Sequence, residues 1–256
     1  MTDLTETVLY RTAGSIAWIT FNRPEALNAL NTEVNLALME CLNRAEVDPE
    51  VRVVILKGAG EKAFVAGADI KEMMTMGSME AREFALRAKQ VTDKIWNLKK
   101  PVIAAIHGFC LGGGFEYALA CDLRIASENA KMGLPEISLG IMPGGAGTQR
   151  LARLIGLTKA KELCLTGGII DAAQALSLGI LNSVCPQEEL FPEAAALANK
   201  IASKSPHSVS LIKSAINKGT EIDLESAAHF EIDCFALCFS TEEQKKGMEA
   251  FASRRK

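Results

Sequence analysis

The chain has little of what usually marks a specialised class of protein. Aromatic residues make up only 5% of its 256 residues, and histidine occurs three times. Neither sign of charge dominates: Lys and Arg number 28 against 31 for Asp and Glu, a net charge of −3. Without a basic excess to hold a phosphate backbone, nucleic acid is not expected as a main partner. The seven cysteines (Cys41, Cys110, Cys121, Cys164, Cys185, Cys234, Cys238) contain no C-x-x-C pair. That argues against a zinc or dithiol redox site and leads us to expect reduced, mostly buried thiols in a cytoplasmic protein. His107, His207 and His229 have no partner four residues away, so no metal site is expected. The opening MTDLTETVLYRT lacks the basic region and apolar core of an export signal. The longest apolar run, Val102 to Cys121, is interrupted by Gly108, Gly112, Gly113 and Gly114 and contains His107 and Glu116. A membrane span would place that carboxylate in lipid at about 2.5 kcal/mol or more, so the run reads as a buried strand followed by a buried helix, and no membrane partner is expected.

What is present is a globular composition, 48% hydrophobic and 23% charged, long enough to bury one large core. Ser15 to Phe21 alternates in the manner of a strand, and Val51 to Leu56 and Val102 to Ile106 are nearly continuous apolar runs, as strands buried on both faces are. Leu123 to Ala126 reads as one more short strand. Between the strands, Asn31 precedes Val34, Leu38, Cys41 and Leu42 at helical spacing, Ser78 reads as the cap of a helix running to about Leu98, and Phe115 to Cys121 reads as a third helix. The β-α-β-α-β-α-β order predicts an α/β fold with a parallel or mixed sheet. After about Gly147 helical spacings dominate, through Leu151–Ile155, Glu189–Ser203, Val209–Asn217 and Ala227–Leu237, and Thr241 with Gln244 forms a capping box before a last helix. With no linker or repeat, the expected organisation is a core over residues 1–190 with a helical extension over 191–256.

One motif is a decoy. Gly58-Ala59-Gly60-Glu61-Lys62-Ala63 has dinucleotide-fingerprint spacing after a strand, yet Phe64-Val65-Ala66-Gly67-Ala68-Asp69 follows where a helix must open. Gly112-Gly113-Gly114 tells more. Three glycines between a buried strand and a helix clear side chains from the place where backbone N–H groups point outward unpaired, which suits an oxyanion, although a tight turn alone would also explain them. Glu116 follows in otherwise apolar company, where an unpaired carboxylate is costly. Glu136, after Pro135, looks on its own like an ordinary acid at a helix start.

The residues taken together resemble the enoyl-CoA hydratase (crotonase) family. The resemblance rests on Ala105-Ile106-His107-Gly108, Gly112-Gly113-Gly114-Phe115-Glu116, Cys121-Asp122, Pro135-Glu136 with Gly140, and Pro143-Gly144-Gly145-Ala146-Gly147-Thr148-Gln149-Arg150. It extends to Asn22-Arg23-Pro24 and Asn28-Ala29-Leu30 near the start, to Phe64 with Ala66-Gly67-Ala68-Asp69-Ile70, and to Phe235 and Gly247-Met248-Glu249-Ala250-Phe251 near the end. It implies a spiral of repeated ββα turns with a helical C-terminal region that forms a homotrimer, often a hexamer built as a dimer of trimers. It also implies Glu116 and Glu136 as the catalytic carboxylates and the N–H groups of Ala68 and Gly113 as an oxyanion hole. Ala66, Ala68, Asp69 and Ile70 would line the CoA path, and Phe251 and Arg254 would reach CoA. The implied reaction is reversible addition of water to a short-chain trans-2-enoyl-CoA, with no cofactor because CoA enters as part of the substrate.

Chemistry agrees with that implication, because hydration of an enoyl thioester needs a base for water, an acid for the α-carbon and donors for the enolate oxygen. The competing readings are an enoyl-CoA isomerase, which generally manages with one carboxylate, a hydratase of branched or cyclic enoyl-CoA, and a non-catalytic CoA- or RNA-binding protein. Met73, Met74 and Met76 fit either a flexible acyl lining or ordinary core.

Overall fold

The computed structural model describes residues 7–253. The chain opens with a hairpin, β1 (Val8–Ala13) against β2 (Ile16–Phe21). Asn31 then caps α1 (Thr32–Val47), its side chain accepting from the Val34 N–H at 2.8 Å, and the helix buries Val34, Leu38, Cys41 and Leu42. Next comes a unit used three times, in which a strand of a large sheet turns a corner into a short strand of a second sheet and then into helical structure. The first unit is β3 (Val53–Gly58), β4 (Ala63–Val65), α2 (Ile70–Met73) and α3 (Ser78–Asn97). The second is β5 (Val102–Ile106), β6 (Phe109–Leu111) and α4 (Gly113–Ala120). The third is β7 (Leu123–Ser127), β8 (Lys131–Gly133), a 3-10 turn over Pro135–Leu139, α5 (Gly147–Ile155) and α6 (Leu157–Thr166). Then follow β9 (Ile169–Asp171), α7 (Ala172–Ser177), β10 (Ser183–Cys185) and the helices α8 (Leu190–Ala202), α9 (Pro206–Gly219), α10 (Leu224–Cys238) and α11 (Glu242–Ser253).

The large sheet runs β1-β2-β3-β5-β7-β10 and the small one β4-β6-β8-β9. Apart from the opening β1–β2 pair and the closing β8–β9 pair, all neighbours are parallel. Parallel strands covered on both faces need apolar side chains on both faces. Along β3, Val54 and Leu56 point into the main core with α1 and α4, while Val53 and Ile55 meet Leu190, Ala194 and Ala198 of α8 on the other side. This is the spiral of ββα turns that the sequence resemblance implies, and the Gly58-Ala59-Gly60 motif is one of its corners, between β3 and β4, with no helix opening there.

Several elements depart from the sequence reading. The short strands β4, β6, β8 and β9 span three residues each, too few to display a period, and β10 adds a strand to the large sheet within the region read as helical. Neither β1 nor α6 nor α7 was expected. Ser78 is the first residue of α3 and Gly77 its cap, because Glu80 reaches back to accept from the Gly77 N–H at 2.6 Å. Thr241 accepts from the Gln244 N–H at 3.3 Å, but the Gln244 amide turns to the Met248 sulfur, so only half of the capping box forms. Among the described residues no helix is long and apolar enough to cross a membrane.

A buried ion pair helps tie α9 to the spiral. Lys213 of α9 sits 2.8 Å from Asp122, whose same oxygen accepts from the Val102 N–H, and the ammonium also reaches the carbonyls of Ile95 and Lys100. Removing one member of a buried pair strands the other, so Lys213→Met should lower stability by about 3 kcal/mol in urea unfolding, and adding Asp122→Leu should recover part of the loss. A loss within about 1 kcal/mol, the range of surface pairs, would refute the anchoring role.

Candidate active site

Three parallel strands of the small sheet, β4, β6 and β8, end side by side, and the segments leaving their C-terminal ends carry every residue expected to do chemistry: Ala66–Asp69 after β4, Gly112–Glu116 after β6, Leu134–Glu136 after β8. Such ends are where backbone donors run out of ladder partners and ligands bind in sheets of this kind. The glycine triplet makes the close approach possible. Gly112 has φ 50°, ψ −126°, a backbone that side chains resist, and a β-carbon on Gly114 would lie 2.3 Å from the Val65 carbonyl oxygen. A β-carbon on Gly112 would lie 3.6 Å from the Gly67 α-carbon, so the two segments nearly touch.

Two N–H groups face this junction. Leu30 pairs in parallel fashion with Ala68, donating to the Gly67 carbonyl at 2.9 Å and accepting from the Asp69 N–H at 2.7 Å. Strand geometry then turns the intervening N–H of Ala68 away from Leu30. Gly113 is the first residue of α4, where helix donors have no intrahelical acceptor. Among the described residues neither N–H has a hydrogen-bond acceptor.

Glu116 lies in the first turn of α4, only 4% exposed. Its Oε1 accepts two backbone N–H groups, from Gly145 at 2.8 Å and Gly147 at 2.7 Å. The left-handed Ala146 between them (φ 78°) aims both donors at one oxygen, a small anion nest. β-carbons on Gly145 or Gly147 would each come within 2.8 Å of a Glu116 oxygen, which explains why this run contains glycines. Burial raises the Glu116 pKa, while the two N–H groups and the charge of Arg150 act against it. Arg150, one turn into α5, stacks 4.5 Å from the Trp96 ring centre and lies 3.9 Å from Asp93. The far end of α4 is locked as well: the buried Arg124 guanidinium donates to the carbonyls of Ala118, Cys121 and Ile180, a cation on a helix C-terminus.

Glu136 enters from the other side, on the 3-10 turn begun by Pro135. Its Oε1 is the closest atom to a β-carbon built on Gly112, at 3.2 Å, while Oε2 is buried and has no partner among the described residues. Burial drives its carboxyl up to about 7; its own backbone N–H acts against the rise and the Glu116 charge adds to it. The two acids thus sit in unlike settings: Glu116 is held by two backbone donors from a neighbouring loop, and Glu136 keeps one oxygen buried without a partner among the described residues.

The remaining expected residues are placed unevenly. Ala66 and Ile70 flank Ala68 on the same segment, and Ile70 is exposed. Asp69 adjoins them, but its carboxylate is engaged internally, accepting from the Lys71 N–H at 3.1 Å and pairing with Arg23 at 3.0 Å. Phe251 is on α11 and lines a groove with Ser205, Cys238 and Met248, none of whose lining residues belongs to the carboxylate site. Arg254 lies outside the described residues. His107 is buried edge-on against Phe191, and burial lowers its pKa. Among the described residues no group of three His, Cys, Asp or Glu is arranged to hold a metal. The sequence reading gave no role to Gly145, Gly147, Arg150 or Arg23. The first three stand in a motif quoted for its likeness, and only folding shows that they serve Glu116.

The Glu136 shift has a consequence for stability. A carboxyl whose folded pKa is raised favours the native state below the usual carboxylate range and loses that contribution as pH climbs through about 7. The melting temperature of the wild type should therefore fall more between pH 5 and pH 8 than that of Glu136→Gln, and parallel pH profiles in thermal unfolding would contradict the shift.

Comparison with known proteins agrees with this geometry. A sequence profile described as enoyl-CoA hydratase/isomerase matches residues 11–256. A short-chain-enoyl-CoA hydratase of Clostridium acetobutylicum is 49% identical over 249 residues, covering 97% of this chain and 95% of that protein. A crotonyl-CoA hydratase of Syntrophomonas wolfei is 45% identical over 251 residues, covering 98% and 96%. Among solved structures, an enoyl-CoA hydratase of Geobacillus kaustophilus superimposes with a TM-score of 0.96 at 35% identity, covering 100% of this chain and 97% of that one. One of Bacillus anthracis gives 0.94 at 39% identity, covering 97% and 96%. With two acids and a pair of free N–H groups gathered at the ends of adjacent strands, and this likeness along nearly the whole chain, the protein belongs to the enoyl-CoA hydratase/isomerase family.

Proposed function

We propose that this protein is a hydro-lyase that adds water reversibly across the 2,3 double bond of a short-chain trans-2-enoyl-CoA, giving the 3-hydroxyacyl-CoA. The observation that carries this reading is the pair of carboxyls in contrasting environments beside two unpaired N–H groups. The thioester oxygen sits between the N–H groups of Ala68 and Gly113, which stabilise it as negative charge develops. Glu116 keeps Oε2 free of hydrogen bonds among the described residues while the glycine donors hold Oε1, so it can orient a water and accept its proton as oxygen bonds to C3. Glu136, with a pKa raised to about 7, holds a proton near neutrality and delivers it to C2. Water supplies both groups added, and passage of the proton from Glu116 to Glu136, directly or through solvent, restores the site, so the reaction calls for no cofactor. Ala66, Ala68, Asp69 and Ile70 are proposed to line the CoA path, Asp69 through its backbone, with Phe251 and Arg254 reaching CoA.

A catalytic core of residues 1–190 and a helical extension of 191–256, with α8 lying on the large sheet, fit this activity. Exposed apolar residues on the last helices, among them Leu224, Ile232, Phe235 and Phe239, support a homotrimer or a dimer of trimers. Seven cysteines without a disulfide among them support a reducing, cytoplasmic setting.

Following the enoyl-thioester absorbance of crotonyl-CoA tests the reading. The wild type should bleach the band, while Glu116→Gln and Glu136→Gln, folded by circular dichroism, should each be slower by on the order of 100- to 10,000-fold. Binding of crotonyl-CoA by the wild type without bleaching would defeat the short straight-chain assignment. Gly113→Pro removes one proposed donor at a helix position that tolerates proline, and its kcat should fall by about 100- to 1,000-fold. Unchanged turnover in that folded variant would remove Gly113 from the oxyanion site.

A further inference from the structure

Arg23, in the Asn22-Arg23-Pro24 motif, is left without a role by the chemistry above. Its guanidinium, 19% exposed, donates through one nitrogen to the Ala29 carbonyl at 2.7 Å and through another to Asp69 Oδ2 at 3.0 Å. Those two acceptors lie on opposite strands of the ribbon that presents Ala68, on either side of the single Leu30–Ala68 bridge. The ribbon has little else to keep its register. It is held by the Leu30 and Asp69 bonds on one side of its length and by the Ala66 N–H donating to the Leu27 carbonyl at 3.0 Å on the other.

The Leu27–Leu30 segment is itself unusual, since Leu27 and Asn28 take left-handed backbones (φ 50° and 59°). Such conformations persist only where surrounding bonds enforce them. Asn28 supplies those bonds, accepting from the Arg23 N–H at 3.0 Å and donating to the carbonyls of Ala59 at 3.0 Å and Ala63 at 2.8 Å. Arg23 and Asn28 therefore hold a strained turn from both ends, and the turn holds the segment that carries Ala68.

We propose that Arg23 is a positioning residue for the oxyanion site: by clamping the Ala29 carbonyl to the Asp69 carboxylate it fixes the ribbon that aims the Ala68 N–H at the thioester oxygen. This rests on the reading of Ala68 as an oxyanion donor. Arginine suits the task because its planar fork reaches two acceptors at fixed geometry, which a lysine ammonium does so less rigidly. The role is one of aim, so its loss should appear in carbonyl polarisation and kcat before it appears in binding.

The test uses cinnamoyl-CoA, whose conjugated chromophore absorbs at longer wavelength when its thioester carbonyl is polarised. Bound to the wild type it should red-shift. Bound to Arg23→Gln it should red-shift measurably less, with kcat on crotonyl-CoA lower by on the order of 10- to 100-fold at a nearly unchanged KM, the scale of a donor displaced by about 1 Å. Arg23→Lys should restore part of both effects. If Arg23→Gln does not fold, Asp69→Asn, which keeps the bond to Ala29 and weakens the other arm, should show the same smaller red shift. A full wild-type red shift in the folded Arg23→Gln protein, whatever happens to its rate, overturns the proposal. Absence of any red shift in the wild type would instead bring down the oxyanion reading of Ala68 itself.

Discussion

Parallel pairing of the three-residue strands β4, β6 and β8 is the constraint on which this molecule's site depends. Each strand is too short to be stable alone, and each exists because a strand of the large sheet feeds it through a corner. Where the small ladder ends, backbone donors lose their partners together, at one edge. The Gly113 N–H is left over just past the place where Gly112 ends the ladder on Gly133, and the Ala68 N–H beside the Leu30 bridge that follows β4 and uses Asp69. A pair of free donors of this kind needs no special side chain. It needs two strand ends brought close, which glycine at 112 and 114 permits.

The carboxylates illustrate how burial and hydrogen bonding divide labour between two like groups. Both are pushed up by desolvation. For Glu116 the glycine nest and Arg150 oppose that push, whereas for Glu136 only its own backbone N–H does, its Oε2 is buried without a partner among the described residues, and the Glu116 charge adds to the rise. Opposed environments for neighbouring acids are how one site can hold a proton acceptor and a proton donor at the same pH. The helix carrying Glu116 is held by its contacts with β4 at the start and by Arg124 at its last carbonyls. Its side chain is therefore placed by a rigid element and not by a loop.

Legibility in the sequence followed the length and regularity of each element. The strand Val102–Ile106, the apolar run Val51 to Leu56 that becomes β3, and the Asn31 helix start are plain in the residue pattern, because they are continuous apolar runs or present a cap. The second sheet is not, since three residues make no period, and β10 joins its sheet through β7, far away in the chain. Glu116 stood out as a charge in apolar company. Glu136 did not, because Pro-Glu opens many helices, and only likeness to a family distinguished it.

The sequence by itself determined the globular class, the parallel architecture, the decoy status of the Gly58 motif and, through a dense set of shared motifs, the family. Those are matters of local pattern and composition, which a linear chain displays. Tertiary structure decided what each motif is for. It turned Gly145 and Gly147 into donors for a carboxylate 29 and 31 residues away, joined Arg23 to Asp69 across 46 residues, and gave two carboxyls unlike hydrogen-bonding surroundings. Distances, dielectric surroundings and unpaired donors are properties of juxtaposition, and they exist only once the chain has closed on itself.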